Sequence, residues 1–296
     1  MHIEPGISLG SFFAGIVVGL TGMGGGALMM PLLVLGFGIP EVVAVSSDVI
    51  ASTVMKPVGA AVHLKHGSVR RDLAKWLMVG SVPAALLSPA ILHYFVHDET
   101  VARNVMRPAI GATLLIAAFA LVAKILLSRN LHRESMPGIP VRVLPTVLIG
   151  LFGGLVVGLT SVGSGSLMLV LLMWVYPRMS SSELVGTDLV QAVPLVLAAG
   201  AGHLIFGQVD WQLTASIVVG TIPGIYLGAR YSAKAKDHVL RPILASVLVA
   251  LGFKLFGASN LVMAGATLIA LAALSAKYLS QRSLLAALAD QQESQF

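Results

Sequence analysis

The 296-residue chain contains no cysteine, so disulfides and thiol chemistry are excluded. Charge is scarce too. Asp, Glu, Lys and Arg make up 11% of the residues, against roughly a quarter in soluble domains. No polar stretch is long enough for a water-soluble domain, the longest being the tail after Gln281. The opening Met1-His2-Ile3-Glu4-Pro5 has no basic residues, so a cleaved signal peptide is not expected. Nucleotide, cytochrome and metal motifs are absent, and no cofactor or metal is expected. The net charge of +6 reads as the loop bias of a membrane protein, because the basic residues lie between apolar stretches. A nucleic-acid partner is not expected.

Apolar sequence is what the chain has. Hydrophobic residues reach 56% and mean hydropathy is +0.90. A bilayer crossing needs about 20 apolar residues. Segments of that kind run over roughly 8–36, 41–64, 74–96, 104–127, 143–176, 184–206, 212–232, 239–258 and 260–279. The expected partners are the lipid bilayer and a small solute, in a chain that is a monomer or a homodimer.

One glycine-rich motif occurs twice. Gly19-Leu20-Thr21-Gly22-Met23-Gly24-Gly25-Gly26-Ala27-Leu28-Met29 returns 139 residues later as Gly158-Leu159-Thr160-Ser161-Val162-Gly163-Ser164-Gly165-Ser166-Leu167-Met168. At an offset of 140, Ser47-Asp48 returns as Thr187-Asp188, His63 as His203, Gly80 as Gly220 and Pro83 as Pro223. The chain therefore reads as two copies of one unit: residues 1–135, residues 136–258, and an extra helix with a polar tail over 259–296. Interrupted helices at matching places in two halves point to a substrate site near the bilayer midplane.

Basic loops set the topology. Lys65, Arg70, Arg71 and Lys75 place one loop inside; Lys124, Arg129, Arg133 and Arg142 place another there; Arg230, Lys234, Lys236 and Arg241 mark a third. The stretch around Gly207 and Asp210 has no Lys or Arg and falls outside. Only an odd number of crossings fits between Arg133 and Asp210, so the fifth segment must return to its own side. By internal similarity the first does likewise. Each repeat becomes a broken re-entrant hairpin plus three spans, and the second copy is inverted relative to the first. The N-terminus is then outside and the C-terminus, near Lys277 and Arg282, cytoplasmic. The alternative is nine plain spans in parallel repeats. Hairpin arms of about 12–14 residues would reach roughly 20 Å, to mid-membrane.

The turns offer backbone amides and a helix start, both favourable to an anion. Gly22, Gly24, Gly25 and Gly26 form one candidate cradle, and Gly163 and Gly165 the other, with Thr21, Thr160, Ser161 and Ser164 as hydroxyl donors. The alternative is that these glycines serve close helix packing. After the first hairpin, Asp48, Ser52 and Lys56 are spaced by four and share a helix face. A lysine this deep is a counter-charge for an anion or the partner of Asp48 through an intervening group. The second half carries Asp188 and Gln191 instead. Asp48 and Asp188 are candidate proton carriers or, since each follows Ser or Thr near a helix start, N-terminal caps. His63 and His203 fall at span ends, as interfacial residues or proton relays.

Paired glycine-rich stretches, each followed by a Ser/Thr-Asp span and a His-x-x-x-Gly ending, resemble the TauE/SafE family of sulfite exporters and related anion permeases. The resemblance covers the chain to about residue 258. It implies a bacterial inner-membrane transporter for a sulfur-containing anion such as sulfite or a sulfonate. It also implies substrate contacts at Gly22, Gly24, Gly25, Gly26, Gly163 and Gly165, with Ser47, Asp48, Thr187 and Asp188 beside them. Two other functions are weighed: an anion channel, and an intramembrane hydrolase using Ser164 and His203. The hydrolase lacks the Gly-x-Ser-Gly order, because position 162 is Val, and it gives no reason for the duplication.

Overall fold

A computed structural model describes residues 3–21, 25–65, 69–95, 98–127, 139–231 and 237–272. Gly22, Gly24, Lys234, Lys236, Lys277 and Arg282 lie outside the described residues. The chain is an all-α polytopic membrane protein. The bilayer leaves backbone groups no water to bond, so the apolar sequence must form helices.

The first glycine stretch joins α1 (Pro5–Thr21) to α2 (Gly26–Pro31), which continues as a π-helical turn over Leu32–Gly36. Then come α3 (Glu41–Lys65), α4 (Arg71–Phe95) and α5 (Glu99–Leu127). The second stretch joins α6 (Val143–Thr160) to α7 (Leu167–Val175), followed by α8 (Ser181–Phe206), α9 (Trp211–Tyr231) and α10 (Asp237–Leu255). A last apolar helix, α11, covers Asn260–Ala272. Helices α4, α5, α6, α8 and α9 are long and apolar enough to cross a membrane. Helix α3 is long enough but carries Asp48, Ser52 and Lys56, and it is lined by α8, α9 and α5.

Both glycine stretches close hairpins. A Cβ on Gly6 or Gly10, in the first turns of α1, would meet the Phe37 ring at 3.4 or 3.3 Å, so the chain has returned to its starting level by Phe37. In the second hairpin the Tyr176 hydroxyl accepts a bond from the Arg142 amide at 2.9 Å and lies 2.6 Å from Thr146 Oγ1. The arms are unequal, unlike the 12–14 residues expected of each. The entering arms have 17 and 18 residues; the return arm α7 has 9. The reason is that the entering arms run on as helices through their own glycines, which are contact points for other helices. A Cβ on Gly15 would sit 2.7 Å from the Thr221 carbonyl oxygen, and one on Gly154 would collide with that of Ser81. Gly220 would likewise meet Ser8, and Gly80 would meet Val147. These contacts correspond residue by residue across the repeat. Helix α1 packs on α9 as α6 packs on α4, while α3 lies against α8 and α5 against α10.

Polar ties group the loops into two ends. At one end the Glu4 amide bonds Ser216 Oγ, the Asp210 amide bonds Ser47 Oγ, and Arg107 pairs with Glu41. At the other end the Arg70 amide bonds Thr187 Oγ1, and the Arg70 guanidinium reaches the Ile139 carbonyl. The first hairpin opens at the first end and the second at the other.

Candidate functional site

The two hairpin turns meet. A Cβ on Gly26 would collide with the Ser161 carbonyl oxygen and lie 2.8 Å from its carbon. Around this contact three ionisable side chains converge from α3 and α8.

Ser161 ends α6 in the left-handed conformation, at φ 56°. Glycine ordinarily takes such a position because it has no Cβ to clash, and its counterpart in the first repeat is Gly22. Serine accepts the strain and supplies a hydroxyl, which donates to Asp48 Oδ2 at 2.7 Å. The other carboxylate oxygen, Oδ1, is buried and has no partner among the described residues. Lys56, two turns along α3, sends its ammonium to Ser164 Oγ. Asp48 and Lys56 are therefore linked through the intervening turn, each holding one of its serines.

From the opposite side, Asp188 Oδ2 accepts the Gly165 amide at 2.7 Å. Its Oδ1 accepts from Gln191 Nε2 at 2.9 Å, while Gln191 Oε1 takes the Ser81 hydroxyl at 3.0 Å. Gly163 and Gly165 adopt φ 122° and 95°, which brings backbone amides toward α8. Gly25 differs, with φ −56° and an ordinary start to α2.

The capping alternative for the two acids does not hold. Asp48 lies two turns inside α3 and Asp188 two turns inside α8, and α8 is capped by Ser180 with Glu183 in a reciprocal box. The packing alternative holds for the arm glycines and not for the turn glycines. Ser47 and Thr187 have other work: they tie the starts of α9 and α4. Thr21 and Thr160 bond back to the carbonyls of Val17 and Val156, closing the last turn of each entering arm. Sequence periodicity put Ser47 and Thr187 beside the acids but could not say which way they face. What it missed was Ser81, reached only through a contact between sequence-distant helices.

His203 bonds Ser46 Oγ through Nδ1 at 3.0 Å and the Gly158 carbonyl through Nε2 at 2.8 Å. Both ring nitrogens are occupied, and no bond joins His203 to Ser164. His203 instead borders a cavity of about 240 Å³ at the end that holds Glu41, Arg103 and Arg107. In sequence, Ser46 lies two residues before Asp48 and Gly158 three before Ser161. The side chain of His63 is outside the described residues. No cluster of metal-ligating side chains occurs among the described residues.

Comparison with known proteins agrees with the fold. The family model for the sulfite exporter TauE/SafE matches residues 7–255. The chain is 37% identical over 252 residues to the probable membrane transporter protein YjnA of Bacillus subtilis (strain 168), covering 84% of this chain and 98% of the relative. It is 25% identical over 253 residues to the probable membrane transporter protein YdhB of the same organism, covering 82% and 98%. No solved structure matches.

Proposed function

We propose that this chain, which belongs to the sulfite exporter TauE/SafE family and is a membrane transporter, carries a small anion by alternating access, with a sulfur oxyanion or organosulfonate as substrate. The observation that carries this reading is the Lys56 ammonium set on Ser164 in a serine- and glycine-rich turn. A cation at membrane depth is expensive, and an anion arriving beside it at the turn offsets that cost. Gly163, Ser164 and Gly165 supply the amides and hydroxyl on one side. Gly26 closes the approach from the other hairpin. Two buried acids, Asp48 and Asp188, flank the turn and offer a proton-carrying group beside the anion.

Alternating access needs two inverted halves about a central site. Supporting that plan are hairpins that open at opposite ends and helix pairs that correspond across the repeat. We place the end with Glu4, Glu41 and Asp210 outside a bacterial inner membrane and the end with Arg70, Arg142 and Tyr176 in the cytoplasm, by the basic-loop rule.

Two measurements test this. In thermal unfolding of the purified protein, sulfite in its hydrogen sulfite form and methanesulfonate should stabilise more than acetate, by about 2.7 kcal/mol at 100 times Kd. No stabilisation by any anion would remove the anion reading. For topology, the chain has no native cysteine to interfere. A cysteine at exposed Gln208 should react with an impermeant external reagent, and cysteines at exposed Lys75 and Arg178 should not. External labelling at Arg178 would mean that the fifth segment crosses, as nine plain spans require.

A further inference from the structure

Resting on the anion-carrier reading, we propose that the two buried acids have unequal roles: Asp48 remains a neutral carboxylic acid through the cycle, while Asp188 takes up one proton with each monoanion admitted beside Lys56, so that the empty and the loaded site are both electrically neutral.

The argument starts from a charge count. Asp48 is 0% and Asp188 1% exposed, and Lys56 points its ammonium into the same turn. Among the described side chains, the remaining elements around them add no charge there. Helices α1, α2, α6 and α7 and residues 22–24 contain no ionisable side chain. The described charged side chains of α4, α5, α9 and α10 lie toward helix ends, where Arg107 is paired with Glu41 and Lys254 bonds Asn260. Glu41 and Lys65 sit at the ends of α3, and Glu183 at the start of α8. His203, also on α8, is engaged by Ser46 and Gly158. Among the described side chains, two acids and one base remain. An uncompensated buried charge is costly, so an empty site with Lys56 charged holds one carboxylate and one carboxylic acid.

Hydrogen bonding decides which is which. Asp188 accepts on both oxygens, from the Gly165 amide and from Gln191 Nε2, as a carboxylate does. Lys56 lies in charge–charge range of both acids. Asp48 accepts on Oδ2 alone, from a hydroxyl that can also accept, and its Oδ1 has no partner among the described residues. An orphan oxygen is tolerated better on a neutral acid than on a carboxylate. Gln191 also fits the second state of Asp188. If its amide turns over, Oε1 accepts from a protonated Asp188, and Nε2 donates to Ser81, whose hydroxyl can reverse. Asp188 thus sits among partners suited to both of its forms.

When a monoanion binds beside Lys56, it replaces Asp188 as the counter-charge. Asp188 then takes a proton from hydronium of the adjoining aqueous phase at a carboxylate oxygen, leaving water, and no other covalent bond changes. Proton and anion leave together, and the neutral empty site returns. A dianion would leave the loaded site with one uncompensated negative charge, so the carrier selects monoanions such as sulfonates over sulfate.

The test uses the full chain in liposomes with an internal pH dye, methanesulfonate and sulfate as probes, and a potassium–valinomycin potential. One proton should enter per methanesulfonate, and accumulation should ignore the potential. A carrier moving one net charge would instead shift accumulation roughly 50-fold for about 100 mV. Sulfate should not be carried. Asp48→Asn should slow uptake yet keep one proton per anion. Asp188→Asn should lose net uptake while still exchanging labelled for unlabelled methanesulfonate. Potential-driven methanesulfonate uptake, a proton ratio of zero, or coupling lost in Asp48→Asn and kept in Asp188→Asn would overturn the proposal and leave the anion carrier standing. No methanesulfonate uptake, together with no thermal stabilisation by it, would overturn both.

Discussion

Gly26→Ala is expected to abolish transport and to cut sharply the amount of folded protein recovered in detergent. The added Cβ collides with the Ser161 carbonyl oxygen, and the next nearest atoms, Ser161 C at 2.8 Å and Val162 Cα at 3.4 Å, are backbone as well. Overpacking typically costs about 1–3 kcal/mol when side chains can move aside. Here nothing can rotate away, so the two turns must separate, and the bond from Ser161 to Asp48 and that from Lys56 to Ser164 go with them. Gly25→Ala is the control. Gly25 has φ −56°, and its Cβ would meet only Met55 Cε at 3.6 Å. Alanine there should fold and transport, with the helix start slightly stabilised by a lower unfolded-state entropy. Gly165→Val should lose transport for another reason, because φ 95° strains any side chain and the Gly165 amide would leave Asp188. Size-exclusion profiles of the detergent-solubilised protein and methanesulfonate flux in liposomes separate these outcomes. Full flux in Gly26→Ala would show that the turns need not touch in the working protein.

From sequence alone Gly25 and Gly26 are indistinguishable members of one cradle. The structure parts them because their environments come from the other half of the chain. The same limit explains the rest of what the sequence did and did not disclose. The duplication, the hairpins and the grouping of loops into two ends were legible because they rest on local pattern and on a count of basic residues. The shared face of Asp48, Ser52 and Lys56 was legible because helical periodicity is local. The partner of Asp48 was not, since Ser161 lies 113 residues away. Nor was the direction of Ser47, which faces Asp210 across 163 residues. A signal for Ser161 did exist. Aligning the repeats sets this serine against Gly22, and a serine where a left-handed helix end favours glycine asks what its hydroxyl is for. Arm length was misjudged because the entering arms count glycines that serve helix packing, which composition cannot tell from glycines that serve a turn.

Lys56→Met should remove anion binding and destabilise the protein, and the second effect should be reversible by one particular further change. Methionine keeps an unbranched stem of similar length and deletes the ammonium, with its bond to Ser164. The anion then loses its counter-charge. Methanesulfonate should no longer raise the unfolding temperature, whatever the condition of the fold. Removing one member of a buried ion pair costs about 3–5 kcal/mol when the other is left charged, whereas replacing both by neutral groups is often neutral. Asp188, which accepts on both oxygens as a carboxylate does, is the acid left exposed to that cost. Lys56→Met with Asp188→Asn should therefore recover most of the lost stability and none of the anion binding. Lys56→Met with Asp48→Asn should recover little, because a neutral Asp48 has no charge to remove. Thermal unfolding of the single and double variants, with and without methanesulfonate, gives the comparison. Undiminished stabilisation by methanesulfonate in Lys56→Met would show that the anion finds its positive charge elsewhere. Equal rescue by the two asparagine changes would show that the acids share one charge between them, and the distinction between a coupling acid and a silent one would fall.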